Sequence, residues 1–469
     1  MTDLDAVVAR VRDRIDPSPD ERQRMADATA TLLDRVESAA ADLPVTTDAI
    51  QVGSTARGTW LSGDRDIDLF VRFPTDLDRE TLERYGLQVG HAVLPDGHEE
   101  YAEHPYVKGT FEGFEVDLVP CYDVDDATQI QSAVDRTPFH TEYLRDRLTD
   151  DLAADVRVCK RFLKGIGAYG SNLRTRGFSG YLTELLVVEY GGFRPLLDAA
   201  ADWQPPVELD PEDHGTATFD DPLVVIDPTD PERNVAAVCA PQNVARLQHY
   251  ARELLAAPRE ELFFPPGTEP LGAASLRRHL KRRGTTPVAV VFETPDVVDD
   301  QLYPQLRRSL SGVRGELDRR GFDVLRATTF ADDRSVLLCE LEVAERPAIQ
   351  RHGGPPVHVR AHAEGFVEKY ADGEADDGDA TTGGDGTDPS DPPAVYGPFL
   401  DGDRFVVERD REFTSAADFL RSDALFDVAL GTHVATALES GYDVLVGDDL
   451  TDLTDEFGVE LAAYFDPKP

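Results

Sequence analysis

Three aspartates carry the clearest chemical signal in this sequence. Asp66 and Asp68 stand in Asp66-Ile67-Asp68-Leu69-Phe70-Val71, and Asp117 stands in Glu115-Val116-Asp117-Leu118-Val119-Pro120. Strand alternation sends residues two apart to one face, so Asp66 and Asp68 present their carboxylates together while Ile67 and Leu69 pack behind them. Carboxylates a few Å apart raise one another's pKa, and a hard divalent cation removes the conflict. Three acids converging from two strands would hold a pair of Mg²⁺ ions bridging an attacking hydroxyl and an α-phosphate. Upstream lies Gly53-Ser54. It offers a residue without a side chain at a turn, then a hydroxyl and the amides of a helix start aimed at anionic oxygen, with Arg57 one turn on. The alternating pair alone also fits a solvent-facing strand edge. The Gly-Ser step and the third acid favour a nucleotide-triphosphate site, because each meets a separate mechanical need.

These residues need elements to hold them. Two helices open the chain, parted by Asp16-Pro17-Ser18-Pro19, with Met25, Leu32, Val36 and Leu43 forming the second apolar stripe. Strand and turn patterns fill Ala49 to Tyr122. Residues 139–191 read as helical, with Val156, Cys159, Phe162, Leu163 and Ile166 on one side and Arg157, Lys160, Arg161 and Lys164 left for another. Trp203 to Pro231 reads as a connection with short strands, followed by a helix near Gln242 to Leu255 and a basic island from Arg277 to Arg283. From Val288 the pattern runs strand, helix, strand, strand, then a helix through Phe366 and Tyr370, which suggests a ferredoxin-like β-α-β-β-α unit. Residues 371–394 carry eight carboxylates, no Lys or Arg and almost no apolar side chains, and read as an acidic, solvated, disordered linker.

Composition bounds the rest. A length of 469 residues implies several packed units, so the fold class expected is α+β and multidomain. Acidic residues number 90 against 47 basic ones, a formal charge of -43, and only six of the basic residues are Lys. That surface suits high salt, where screening shrinks self-repulsion to a few Å. The usual rule for nucleic-acid binding looks for a basic domain. In molar salt counterion release adds little affinity, so an RNA-binding chain of this kind need keep only local basic patches. Cys121, Cys159, Cys239 and Cys339 are widely spaced and fit a reducing cytoplasm. No apolar run approaches membrane-spanning length.

Several longer segments resemble one family. Gly53–Leu61, Ala102–Tyr106, Val116–Tyr122, Ala133–His140, Phe162–Gly170, Arg176–Leu186 and Asp230–Ala236 look like the archaeal, class I, CCA-adding enzymes, tRNA nucleotidyltransferases of the DNA polymerase β-like superfamily. The resemblance spans nearly the whole chain and is dense from 51 to 191. It implies a polymerase β-like catalytic head (1–138), a helical neck (139–200), the first part of a body (201–284), the ferredoxin-like tail (285–370) and, beyond the 371–394 linker, a segment (395–469) returning to the body. The activity implied is addition of C, C and A to the 3′ end of tRNA from CTP and ATP, with two Mg²⁺ ions and, by family habit, a homodimer. By the same resemblance Asp66, Asp68 and Asp117 hold metal, and Gly53, Ser54, Arg57, Thr137, His140, Lys160 and Tyr169 hold triphosphate and ribose. His104 and Arg233 become candidates for reading the base.

Two features depart from the family pattern: Thr55 stands where an aromatic residue is expected, and the 371–394 insert is additional. Taken one at a time, several candidates also fit blander roles. Lys160 with Lys164 fits a solvated helix face, His140 a structural hydrogen-bonder, Arg233 the partner of a nearby acid, and the 277–283 island either a solvated helix or a contact to RNA. A poly(A) or oligoadenylate polymerase would use the same site, and a non-catalytic RNA-binding protein could keep the fold.

Overall fold

The turn Asp16-Pro17-Ser18-Pro19 separates two helices in a computed structural model that describes residues 3–101, 103–370 and 395–469. The 371–394 linker and Ala102 lie outside the described residues. Contacts divide the chain into one unit within residues 1–267 and another within 268–468. No described helix is long and apolar enough to cross a membrane.

In the first unit, α1 (Asp3–Ile15) is followed by α2 (Pro19–Ala40), which starts on a reciprocal cap: the Ser18 hydroxyl accepts from the Glu21 amide, and the Glu21 carboxylate accepts from the Ser18 amide. Next come β1 (Asp48–Val52), the one-turn α3 (Gly53–Arg57), β2 (Asp66–Phe73), α4 (Arg79–Val93), β3 (His98–Tyr101), β4 (Pro105–Phe111) and β5 (Phe114–Tyr122). The sheet order is β1-β2-β5-β4-β3, and only the β2–β5 pair is parallel. A parallel pair cannot be closed by a tight turn. Here the chain leaves β2, passes through α4 and the β3–β4 hairpin, and returns as β5. Ile67, Leu69, Val71, Val116 and Leu118 pack with α2 and α4 on one face, while Val52, Phe70, Val119 and Cys121 form a smaller cluster on the other.

The strand-and-turn reading of 49–122 misses α4. Gly86 and Gly90 look like breakers in sequence. In the fold they let the helix lie close on the sheet, since a Cβ at 86 would stand 2.6 Å from Pro120 and one at 90 would overlap Val107.

The remaining elements of this unit are α5 (Arg136–Arg145), α6 (Asp150–Gly165), α7 (Gly180–Tyr190), α8 (Phe193–Ala201), β6 (Val207–Leu209), β7 (Leu223–Asp227), β8 (Asp230–Asn234) and α9 (Pro241–Ala256). They share a core with α1, built on Val156, Cys159, Phe162, Leu185, Leu197, Leu247 and Phe263. The first helix therefore packs with this helical part and not with the five-stranded sheet. α6 buries the expected apolar stripe, but Arg157 and Lys160 are buried as well, at 5% and 3% exposure. A solvated face for them is thereby excluded.

The second unit holds α10 (Ala273–Arg283), β9 (Thr286–Glu293), α11 (Asp299–Arg319), β10 (Val324–Ala331), β11 (Arg334–Leu341), β12 (Ile349–Pro356), α12 (Arg360–Tyr370), β13 (Val395–Asp401), β14 (Arg404–Asp410), α13 (Ala416–Leu420), α14 (Thr432–Ser440), β15 (Asp443–Val446) and α15 (Thr454–Phe465). The strand-helix-strand-strand start is as expected, but the ferredoxin-like reading breaks down at its fifth element. The sheet is β10-β11-β9-β15, its last strand coming from the far end of the chain. α12 instead packs on a separate antiparallel sheet, β12-β14-β13. β12 shows no strand period in the sequence because its Gly353-Gly354-Pro355-Pro356 run carries turn-forming residues and few apolar ones. Residues after 394 thus complete both sheets of this unit, and α15 covers α10.

Replacing Gly90 by alanine should cost about 1–3 kcal/mol through overpacking against Val107. Gly315→Ala, on an exposed turn of α11 with open space around it, should instead gain about 0.5–1 kcal/mol. Urea denaturation of both variants in high KCl checks the opposite signs.

Candidate active site

Register brings the acids together. β2 and β5 pair with Asp66 opposite Glu115 and Asp68 opposite Asp117, so the three aspartates share the face that α4 leaves uncovered. Burial, then the charges of Asp117 and Asp66, push the Asp68 carboxyl up to about 6. Asp66 is raised by burial and by Asp64 and Glu115, and Asp117 by burial against the pull of Lys108. Lys108 lies across from Asp117 on β4, its Nζ 3.4 Å from Asp117 Oδ1 and 3.7 Å from Glu115 Oε2. Asp66, Asp68, Glu115 and Asp117 against one ammonium leave negative charge unmatched, and carboxylate oxygen is the donor that hard divalent cations prefer. The donor chemistry therefore fits. Among the described residues no three His, Cys, Asp or Glu side chains already stand grouped to hold an ion.

Gly53 must be glycine here for two reasons. Its φ is +75°, and a Cβ would run into the Asp68 carboxylate. α3 then makes one turn and stops at Gly58, which adopts the left-handed conformation. Arg57, on that turn, points inward. Its Nε and Nη2 lie 2.8 and 2.7 Å from Glu184 Oε2, and its Nη1 donates to Thr141 Oγ1 at 3.1 Å. Lys160 donates to Glu184 Oε1 at 3.0 Å and to Thr59 Oγ1 at 3.1 Å, and Thr59 in turn donates to Glu184. Glu184 is wholly buried. Burial opposes charge on both partners: it draws the Lys160 ammonium down against the pull of Glu184, while on Glu184 the two cations outweigh it and hold the carboxyl low.

A second buried carboxylate organises the other candidates. His140 Nε2 lies 2.8 Å from Asp227 Oδ2, and the imidazole stacks on Tyr181 with centroids 3.9 Å apart and planes 15° apart. Arg233 Nη1 donates to the same Oδ2 at 2.6 Å. Thr137 sits one turn before Thr141, which donates to its carbonyl. Tyr169 is largely buried with the Lys164 ammonium 5.4 Å from its ring centroid, and burial raises its hydroxyl's pKa.

His104 is placed elsewhere. It is 2% exposed, its Nδ1 lies 3.2 Å from Glu83 Oε1 on α4, and its ring meets the edge of Tyr122. Those partners belong to the helix-covered side of the sheet, so His104 does not join the carboxylates. The alternation of β4 is broken where the strand begins at Pro105. Sequence reading also passed over Glu184, Asp227 and Lys108 as individual residues. The signal for the first two was present: Glu184 is a lone acid among Leu182, Leu185 and Leu186, and Asp227 ends the apolar run Leu223-Val224-Val225-Ile226.

Comparison with known proteins covers most of the chain. Residues 33–140 match the family model described as nucleotidyltransferase domain, residues 154–264 that of the tRNA nucleotidyltransferase second domain, and residues 283–447 that of the CCA-adding enzyme C-terminal domain. A protein of Haloarcula marismortui named CCA-adding enzyme is 61% identical over 485 residues, covering 100% of this chain and 99% of that one. One of Halorubrum lacusprofundi with the same name is 61% identical over 480 residues, covering all of both chains. One of Methanoregula boonei, likewise named, is 44% identical over 454 residues, covering 96% of this chain and 93% of that one.

Glu184→Ala would leave two buried cations without their counter-charge and should cost about 3–5 kcal/mol. Glu184→Gln keeps the volume and two oxygen or nitrogen sites and should cost less. Chemical denaturation of the two variants reads the difference, and wild-type stability in Glu184→Ala would refute the ion triad.

Proposed function

This chain belongs to the CCA-adding enzymes, and we propose that the face carrying Asp66, Asp68 and Asp117 is where nucleotides are joined to tRNA. The enzyme adds C, C and A to the 3′ end of immature or damaged tRNA without a nucleic acid template, releasing pyrophosphate. In our reading CTP and ATP are the donors, the enzyme works in the cytoplasm, and it does so as a homodimer. The observation that most supports the placement of the site is the parallel register that makes Asp68 and Asp117 neighbours.

Divalent cations on those three carboxylates, two Mg²⁺ in this reading, would supply charge cancellation and Lewis acidity at the reacting phosphate. The chain's own groups bind and orient. Gly53 lets the backbone approach, and the Ser54 hydroxyl, which has no hydrogen-bond partner among the described residues, is free for a phosphate oxygen. Arg57 and Lys160 are pinned by Glu184, so they act as fixed charge beneath the triphosphate and need no rearrangement as pyrophosphate leaves. Thr137, His140 and Tyr169 border the triphosphate and ribose. The new bond joins the tRNA 3′ oxygen to the α-phosphorus while the bond to the pyrophosphate oxygen breaks. Arg233, half-exposed with one nitrogen held by Asp227, keeps other N–H groups for the base edge. His104, buried against Glu83, is left out of this assignment.

Purified protein with tRNA lacking its 3′ end, CTP, ATP and Mg²⁺ in high KCl should add two C and one A and then stop. Asp68→Ala and Asp117→Ala should each lower the rate by at least about a hundredfold. Chelation by EDTA should abolish addition and excess Mg²⁺ restore it. An open-ended A tail, or undiminished addition by Asp68→Ala, would overturn the assignment.

A further inference from the structure

Asp227 has no proposed contact with substrate, yet it is a wholly buried carboxylate of the first unit. It ends β7 with a side chain of 0% exposure, and both its oxygens are fully used. Oδ1 accepts from the Thr229 amide at 2.9 Å and the Thr229 hydroxyl at 2.8 Å. Oδ2 accepts from His140 Nε2 at 2.8 Å and Arg233 Nη1 at 2.6 Å. Burial by itself would raise this carboxyl, and the bonds from His140 and Thr229 outweigh it and hold the group below the ordinary carboxylate range.

The two oxygens divide the work. Oδ1 builds the turn between β7 and β8, an arrangement that Asp commonly makes with the backbone two residues on. That accounts for the fold. Oδ2 does nothing for the turn; it takes two side chains from separate elements, His140 on α5 and Arg233 on β8, both assigned above to the nucleotide. His140 is held a second time by stacking on Tyr181, whose hydroxyl is buried without a partner among the described residues. Arg233 is 38% exposed, and Asp227 is the one residue to which its guanidinium bonds among those described. An arginine on an exposed hairpin otherwise has several long-chain rotamers open to it. Charge-assisted bonding to a buried, immobile oxygen removes that freedom.

We propose that Asp227 is a positioning residue for base selection: it fixes the guanidinium of Arg233 at one angle to the incoming base and ties that angle to the seat of His140. Hydrogen-bond discrimination between bases requires donors held to about half an Å. A guanidinium free to swing meets C, U, A or G with similar ease. This inference rests on the assignment of Arg233 to the base.

The test is Asp227→Asn. An asparagine oxygen can still accept from Thr229, while its amide nitrogen places a donor where Arg233 needs an acceptor. Single-nucleotide kcat/KM values for CTP, UTP, ATP and GTP are measured on tRNA ending before each added position. Asp227→Asn should lower the preference for the correct base by about tenfold or more, whereas Glu184→Gln should lower all four values together. The Asp227→Asn/Arg233→Ala double variant should be no less selective than Arg233→Ala alone. Thr229→Val, which removes one bond to Oδ1 from a folded turn, should give a smaller loss of the same kind and serves if Asp227→Asn does not fold. Equal loss for all four nucleotides, additive losses in the double variant, or undisturbed selectivity in folded Thr229→Val would each overturn the role of Asp227. Full selectivity in Arg233→Ala is a different failure, since it removes Arg233 from the base.

Discussion

The parallel pairing of β2 with β5 forces like charges together on a half-covered surface. Asp68 and Asp117 are direct partners and Asp66 faces Glu115, so this register costs repulsion at both acidic pairs. Apolar neighbours on the other face make the register unavoidable, because a one-residue slip would turn Ile67, Leu69, Val116 and Leu118 outward. The crossover that parallel strands demand is met by α4, whose two glycines allow it to sit close, and the glycine before Ser54 gives the Asp68 carboxylate its room. Lys108 offsets part of the charge. The remainder is open to counter-ions from outside the chain.

Carboxylates of a second kind stand beside this one. Glu184 and Asp227 are wholly buried and matched by groups of the chain itself: the cations Arg57 and Lys160 for the first, and for the second the cation Arg233 with a hydrogen bond from His140, whose pKa burial holds below the ordinary imidazole value. Removing Glu184 would strand two buried cations, and removing Asp227 would leave the His140 and Arg233 donors without their acceptor, so these acids are tied to their partners in a way that surface acids are not. They also convert long, flexible basic side chains into fixed ones. In a chain with a formal charge of -43, salt screens the exposed acids strongly and the buried clusters hardly at all. The local geometry of the site is thereby insulated from the ionic strength that the surface requires.

Much of the candidate site was legible from residue order. Alternation exposed Asp66 and Asp68 as a pair, the Gly-Ser step marked the close turn, and resemblance supplied His140, Lys160, Tyr169 and Arg233. Proline and serine marked the break between α1 and α2, and helical spacing marked α6, α9 and α11. The failures share a cause. Gly86 and Gly90 signal a break when read locally, and only the approach of Pro120 and Val107 shows why a helix keeps them. β12 carries too few apolar residues to show a strand period, and its partner lies beyond residue 400. Lys160 looks like surface in a helical wheel because its counter-charge is on another helix.

What the residues alone determined is therefore chemistry and period: which acids alternate, which stretches are amphipathic, and which segments match a family of tRNA nucleotidyltransferases. Tertiary structure decided everything that depends on a partner distant in sequence. It put Asp117 beside Asp68 across 49 residues of chain, turned His104 to the helix side against Glu83, and gave Arg57, Lys160, His140 and Arg233 their anchors in Glu184 and Asp227. The physical reason is that alternation and helical spacing are short-range rules of backbone geometry, whereas the pairing of buried charges is a property of which surfaces the folded chain brings into contact.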